Sequence, residues 1–286
     1  MKAAVERLDL RYALDSPWPL AETRVVSAEA RFVPIDRLSW RREEEAPSAT
    51  VYGYRAATTF VRDVSVASQL IPFGQVADTL REYCSLEMMF ELDALLMAYA
   101  ASALASHLTA PRRILSLFLG VAPTSFELPS QLFEVLTRLS AGQGGFNVVY
   151  EFPGIGGSWQ REFQALQHKN PELRFAITGL APSAAFESWR GFRFRAYKLD
   201  GSLLADGGDE RIAGQVRAAL AAVTELSPAV TPVVVGAPDL ATMRRWYDLG
   251  VRLFQRARPL EGLSLDRITV AGDLVPPDDD PASALG

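Results

Sequence analysis

Residues 114–121 read Ile-Leu-Ser-Leu-Phe-Leu-Gly-Val, a short apolar run in which Gly120 marks the turn. A run of this length, bounded by a turn residue, predicts a strand buried on both faces. The same unit returns down the chain. Strands are predicted over 146–152 (FNVVYEF), 174–180 (RFAITGL), 192–199 (FRFRAYKL), 231–237 (TPVVVGA) and 250–255 (GVRLFQ). Helical segments near 129–140, 158–168, 183–190, 208–225 and 239–249 fill the intervals. Short apolar strands alternating with helices argue a parallel sheet of βα units.

Toward the N-terminus the pattern changes. Residues 74–107 read as helical, with Leu92, Leu95, Leu96 and Tyr99 on one face. Residues 51–71 (VYGYRAATTFVRDVSVASQLI) show mixed periodicity and are assigned to neither state. Residues 34–50 carry Pro34, Arg41–Arg42, Glu43–Glu44–Glu45 and Pro47, and read as a solvated loop. A strand is predicted over 24–33 around Val25–Phe32 (VVSAEARF), and another within 4–14 (AVERLDLRYAL), where Leu8, Leu10 and Tyr12 alternate with charges. These two bring the strand count to about eight. The expected fold is therefore α/β, a closed (β/α)8 TIM-type barrel with an atypical first strand; an open doubly wound sheet is the alternative. The barrel is expected to occupy residues 1–270, with a disordered acidic tail over 271–286.

Composition narrows the chemistry. The chain has 286 residues, 49 % of them hydrophobic, which is enough for a full core. Its net charge of −5 argues against a nucleic-acid partner. Cys84 is the sole cysteine, and with only His107 and His168 a histidine metal site or catalytic triad has little material. The first residues lack an apolar signal core, and the longest apolar run, around 94–106, reads as too short to span a bilayer. A cytoplasmic protein with no membrane association is expected. The glycines at 142–145 and 154–157 lack phosphate-loop spacing and mark turns. Cys84 reads as a packed thiol, the two histidines as helix-end residues, and Trp159, Trp189 and Trp246 as outer-layer packing.

Polar residues at strand ends carry the functional reading, because barrel chemistry sits at the C-terminal ends of strands. Those positions are Glu29, Phe118 or Leu119, Glu151, Thr178–Gly179, Lys198 with Asp200, Val235 and Gln255. Glu29 shares one face of its strand with Arg31 and Val33, and a carboxylate on a buried face requires a partner.

In this order, the segments resemble an EAL domain, the cyclic di-GMP phosphodiesterase family. RVVSAEARF resembles the strand with the Glu-Ala-Leu signature, with Glu29 and Ala30 kept and Arg31 in place of Leu. FELDALLMAYAASAL resembles the helix after the second loop. ILSLFLG resembles the strand with a metal-binding Asn, with Phe118 at that position. VVYEF resembles the strand with a metal-binding Glu, here Glu151. RFAITGL resembles the Asp-Asp strand, with Thr178 and Gly179 at the two acidic positions. FRAYKLDGSLL keeps the family's lysine as Lys198, VVVGAPDLATMRRWYDLGV places Val235 at a glutamate position, and LFQRARPL keeps the closing Gln as Gln255.

The resemblance implies two-metal phosphodiester hydrolysis with magnesium- or manganese-type ions. Carried over residue by residue, it leaves Glu29, Glu151, Lys198 and Gln255 as retained positions, and Phe118, Thr178, Gly179 and Val235 as lost ones. Two carboxylates are too few for a pair of hard cations. The expectation is accordingly no catalysis, no metal and no cofactor, with Arg31 and Lys198 neutralising Glu29 and Glu151. Arg31, Arg256 and Arg258 remain as possible ion-pair or anion ligands. The expected function is regulatory, through a protein partner in bacterial cyclic di-GMP-related signalling of motility or biofilm. A metal-independent cyclic di-GMP receptor and a residual phosphodiesterase are the alternatives, and dinucleotide binding is not favoured.

Overall fold

A long antiparallel hairpin, unread in the sequence, starts the barrel. The computed structural model describes residues 7–14, 18–40, 47–64, 67–72, 76–107, 115–141, 146–154, 160–179, 189, 191–205, 210–226 and 230–255. Strand β1 (Leu8–Asp9) and a short helix α1 (Leu20–Thr23) precede β2 (Val25–Ser39), which pairs along its length with β3 (Ser48–Val64). A further strand, β4 (Ala67–Pro72), folds back on the upper end of β3. Residues 34–39 and 48–50, expected in a loop, thus lie in strands, and the described residues of 51–71 divide between two. Pro34 lies beside a bulge where the register slips between Ile35 and Asp36; bulges are one of the places where a sheet tolerates proline.

Helices α2 (Ala77–Tyr83) and α3 (Leu86–His107) replace the one helix expected over 74–107. The break falls at Cys84–Ser85, where the Ser85 hydroxyl accepts the N–H of Met88 at 3.2 Å and starts the second helix. The regular alternation follows as expected: β5 (Leu115–Gly120), α4 (Pro129–Ala141), β6 (Phe146–Pro153), α5 (Gln160–Lys169), β7 (Arg174–Thr178), β8 (Phe194–Asp200), α6 (Glu210–Leu226), β9 (Thr231–Val235), α7 (Leu240–Asp248) and β10 (Leu253–Gln255). Helix α7 begins where the Asp239 carboxylate accepts the N–H of Thr242 at 2.7 Å. The helix expected near 183–190 lies outside the described residues, apart from Trp189, as does the tail over 271–286.

The sheet closes in the order β2-β10-β9-β8-β7-β6-β5-β3 and back to β2, an eight-stranded barrel. Strands β3 and β5 to β10 run parallel, while β2 is antiparallel to both its neighbours, β3 and β10. The atypical first strand of the barrel is therefore β2. Of the strand expected within 4–14, the described residues hold β1, which is no stave: it pairs on the outside of β2, at Leu8–Ala28 and Asp9–Ser27. The count of eight holds because β3 takes its place.

One layer of inward side chains fills the lower barrel: Ile35, Phe118, Val149, Ala176, Ala196, Val233 and Leu253. Outside, an edge-to-face aromatic cluster of Phe126, Phe152 and Phe163 joins the barrel to the helices. Helix α3 packs Leu92, Leu96, Met97, Ala101 and Leu104 inward. Its apolar span of 21 residues, Leu86–Ser106, is longer than the sequence reading allowed and by length and composition alone could cross a membrane. Core helices of globular proteins meet the same test, and this helix buries one face on the barrel. Asp93 on its surface fixes the turn after β5, accepting the N–H of Ala122 at 3.0 Å and the hydroxyl of Ser125 at 2.6 Å. Trp189 and Trp246 are buried as expected, and the Trp246 indole donates to the Gly201 carbonyl at 3.0 Å. His168 bonds the carbonyl of Gln164, one turn back, as a helix-end residue does.

Candidate functional site at the barrel mouth

Strand period places the polar residues. Two residues beyond Val149, Ala196 and Leu253, toward the C-terminal ends of their strands, the same inward face carries Glu151, Lys198 and Gln255. All three are buried. The Lys198 ammonium donates to Oε1 of Glu151 and to the side-chain carbonyl of Gln255. It also lies 4.7 Å from the centroid of the buried Phe118 ring, within cation–π range.

A second cation completes the cluster. Arg55 Nε donates to the other carboxylate oxygen of Glu151, Oε2, at 2.9 Å. Sequence reasoning missed this residue because it lies in the stretch left unassigned. Its signal is present in the alternation of Gly53, Arg55, Ala57 and Thr59, but the bulge in the hairpin shifts the phase just before it. Burial alone would raise the Glu151 carboxyl; the Lys198 ammonium and the Arg55 guanidinium outweigh it and hold the group below its ordinary range. Burial pushes the Lys198 ammonium down to about 8, with Glu151 pulling upward and Arg55 adding to the depression.

The other expected residues fall differently. Glu29 faces Thr59 across the β2–β3 pair, and its Oε1 meets the Arg31 guanidinium at 2.8 Å, while Arg7 approaches Oε2 at 3.7 Å. The single ion cluster expected of Glu29, Glu151, Arg31 and Lys198 is instead two separate groups, Glu29 with Arg31 and Glu151 with Lys198 and Arg55. The residue from the opening hairpin that faces Glu151 is Arg55, not Glu29. Thr178 ends β7 half-buried, Gly179 follows with φ +75°, and Val235 ends β9 half-buried. Arg256 and Arg258 lie outside the described residues. Among the described residues no three His, Cys, Asp or Glu side chains gather closely enough to hold a metal ion.

The largely buried Glu29–Arg31 pair yields a test. Glu29→Gln is expected to lower stability by about 1 kcal/mol, between the value of an exposed pair and that of a fully buried one. Thermal unfolding would show a fall of roughly 2–4 °C for a chain of this size. An unchanged melting temperature would mean that water, rather than Arg31, compensates this carboxylate.

A closed barrel of parallel strands behind an antiparallel first stave, with its polar cluster at the C-terminal strand ends, defines a (β/α)8 barrel. The fold is that of EAL domains. The chain is similar to the PaMucR phosphodiesterase in its c-di-GMP complex (TM-score 0.64, 14 % identity, covering 91 % of this chain and 98 % of that one). It is likewise similar to the FimX EAL domain from Pseudomonas aeruginosa bound to c-di-GMP (TM-score 0.61, 16 % identity, 83 % and 91 % covered). The EAL-like domain protein YdiV gives a TM-score of 0.58 at 11 % identity, with 86 % and 97 % covered. No protein-family model and no curated protein sequence matches the chain.

Proposed function

We propose that this EAL-fold barrel does not hydrolyse cyclic di-GMP and instead serves as a cytoplasmic regulatory protein in bacterial cyclic di-GMP-related signalling, acting on a protein partner. One observation carries the catalytic half of this reading: both oxygens of Glu151 are taken by the chain's own cations, Lys198 and Arg55. A pair of divalent ions about 4 Å apart needs several oxygen ligands on each ion. Around Glu151 stand an ammonium, a guanidinium, an amide and the Phe118 ring. Two metals do not fit these residues. With the mouth filled, the outer surface is what remains for recognition; the choice of a protein partner rests on fold analogy, and the net charge of −5 weighs against nucleic acid.

One observation favours a second reading. Arg31 Nε is buried without a hydrogen-bond acceptor, and a guanidinium N–H left open near the mouth suits a phosphate oxygen. A metal-independent cyclic di-GMP receptor would use it. Calorimetric titration of the purified protein with cyclic di-GMP, with and without Mg²⁺ or Mn²⁺, together with product analysis, separates the cases. No hydrolysis and no binding is the expected result. Micromolar metal-free binding would establish the receptor, and metal-dependent turnover would overturn the proposal and restore a phosphodiesterase.

A further inference from the structure

Strands β3 and β5 part above their last shared pair, Ala56 beside Leu119. β3 continues upward with β2 and β4, whereas β5 ends at Gly120. The opening lies against α3, and its walls carry small side chains, among them Ala56, Ala57, Ala100 and Ala122. The result is a cavity of about 360 Å³ beside the Glu151–Lys198–Gln255 cluster, sharing Arg55 with it, with an apolar floor that includes Leu96 and Met97.

Two opposite charges stand in its walls, Asp93 and Arg55. They do not pair with each other. The hydrogen-bond partners of Asp93 are neutral, the N–H of Ala122 and the hydroxyl of Ser125, both on one oxygen, Oδ2. Burial raises its carboxyl to about 6 against those two donors, and no cation opposes the rise. Arg55 commits Nε to Glu151, while a terminal nitrogen lies on the Gly120 side, 3.7 Å from where a Cβ would stand on that glycine. The cavity thus offers one carboxylate oxygen short of a donor, guanidinium N–H groups beyond the one spent on Glu151, and apolar surface between them.

We propose that this cavity binds a zwitterionic amino acid with an apolar side chain, its ammonium on Asp93, its carboxylate on Arg55 and its side chain against Leu96 and Met97. Each charge of the ligand answers one wall charge, and together they bring no net charge into the site. A lone carboxylate would leave Asp93 without a counter-ion, and a lone amine would leave the Arg55 N–H groups not spent on Glu151 without an anionic acceptor. The cavity shares Arg55 with the cluster on which the regulatory reading rests, but amino-acid binding uses its terminal nitrogens rather than the Nε held by Glu151, and binding of an amino acid is read out independently of cyclic di-GMP hydrolysis or binding.

Calorimetric titration or ligand-observed NMR with L-phenylalanine and L-leucine tests it, with phenethylamine and 3-phenylpropionate as single-headed controls. Saturable binding of the amino acids is expected, with each control at least about tenfold weaker, the usual cost of one charged hydrogen bond. Asp93→Asn keeps an acceptor for Ala122 and Ser125 and is expected to weaken amino-acid binding by about tenfold or more. Ala100→Leu fills the cavity and is expected to abolish binding; circular dichroism establishes that both variants are folded. Absence of saturable binding by either amino acid overturns the proposal. So does phenethylamine binding as tightly as phenylalanine, or Ala100→Leu binding unchanged.

Discussion

Glu151→Gln is expected to lower the melting temperature by on the order of 10 °C, the largest effect of any single change in the barrel mouth. The substitution keeps the side chain's size and removes only its charge. Lys198 is then left buried with an ammonium and no anion, and its amide partner Gln255 supplies one neutral acceptor. Breaking a buried ion pair from one side costs about 3–5 kcal/mol, and each kcal/mol moves the melting point of a chain this size by about 2–4 °C. Arg55 suffers less, because its side chain keeps 29 % of its surface and can turn to water. The double variant Glu151→Gln/Lys198→Met is expected to recover most of the loss, since it removes the stranded ammonium while keeping apolar contact with Phe118. A double variant no more stable than Glu151→Gln alone would show that the cost comes from packing rather than from charge.

The same cluster sets the acid limb of stability. Glu151 has its folded pKa below the ordinary carboxylate value, so its contribution is fully present above that value and is lost as the pH falls through the depressed one. The wild type is therefore expected to lose stability on acidification below about pH 4.5 more steeply than Glu151→Gln, as thermal melts at successive pH values would show.

The parallel half of the barrel was legible in the sequence because each of its strands is buried on both faces and bounded by turn residues. Glu151, Lys198 and Gln255 were legible for the same reason. A polar residue at the end of an apolar strand, in step with Val149, Ala196 or Leu253, can point only into the mouth. The opening hairpin was not legible. β2 and β3 run for 15 and 17 residues, and they change surroundings along the way, from barrel wall at one end to an outer sheet with β1 and β4 at the other. The bulge at Ile35/Asp36 then breaks the phase of two. Glu29 is a lone carboxylate in an apolar strand, yet its place beside Arg31 and Arg7 is in a different group from Glu151. Arg55 is, in sequence, one more charge in an irregular stretch. Only closure of the sheet, which places β3 next to β5 and one strand away from β6, brings Arg55 to Glu151.

Gly53→Ala should be nearly as damaging as the loss of Glu151, though no charge is involved. Gly53 pairs with Ile35 of β2 on one side and Ser116 of β5 on the other, at the edge of the bulge. A Cβ there would stand 2.1 Å from the Ser116 carbonyl oxygen. That atom belongs to a central strand of the barrel and cannot swing aside as a side chain would. Relief requires β3 and β5 to separate, breaking the parallel ladder that runs from Gly53–Ser116 to Ala56–Leu119. Overpacking in a core costs about 1–3 kcal/mol when side chains can adjust, and a fixed backbone obstacle places this substitution at or above the top of that range. The strain also reaches the mouth, because Arg55 follows two residues later on the same face and depends on the same ladder to meet Glu151 at 2.9 Å. Gly53→Ala is therefore expected to lower the melting temperature by about 6 °C or more and to erase most of the additional effect of Arg55→Ala in a double-mutant cycle. Full additivity of the two substitutions would show that the glycine and the arginine act independently, and that β3 does not transmit the displacement.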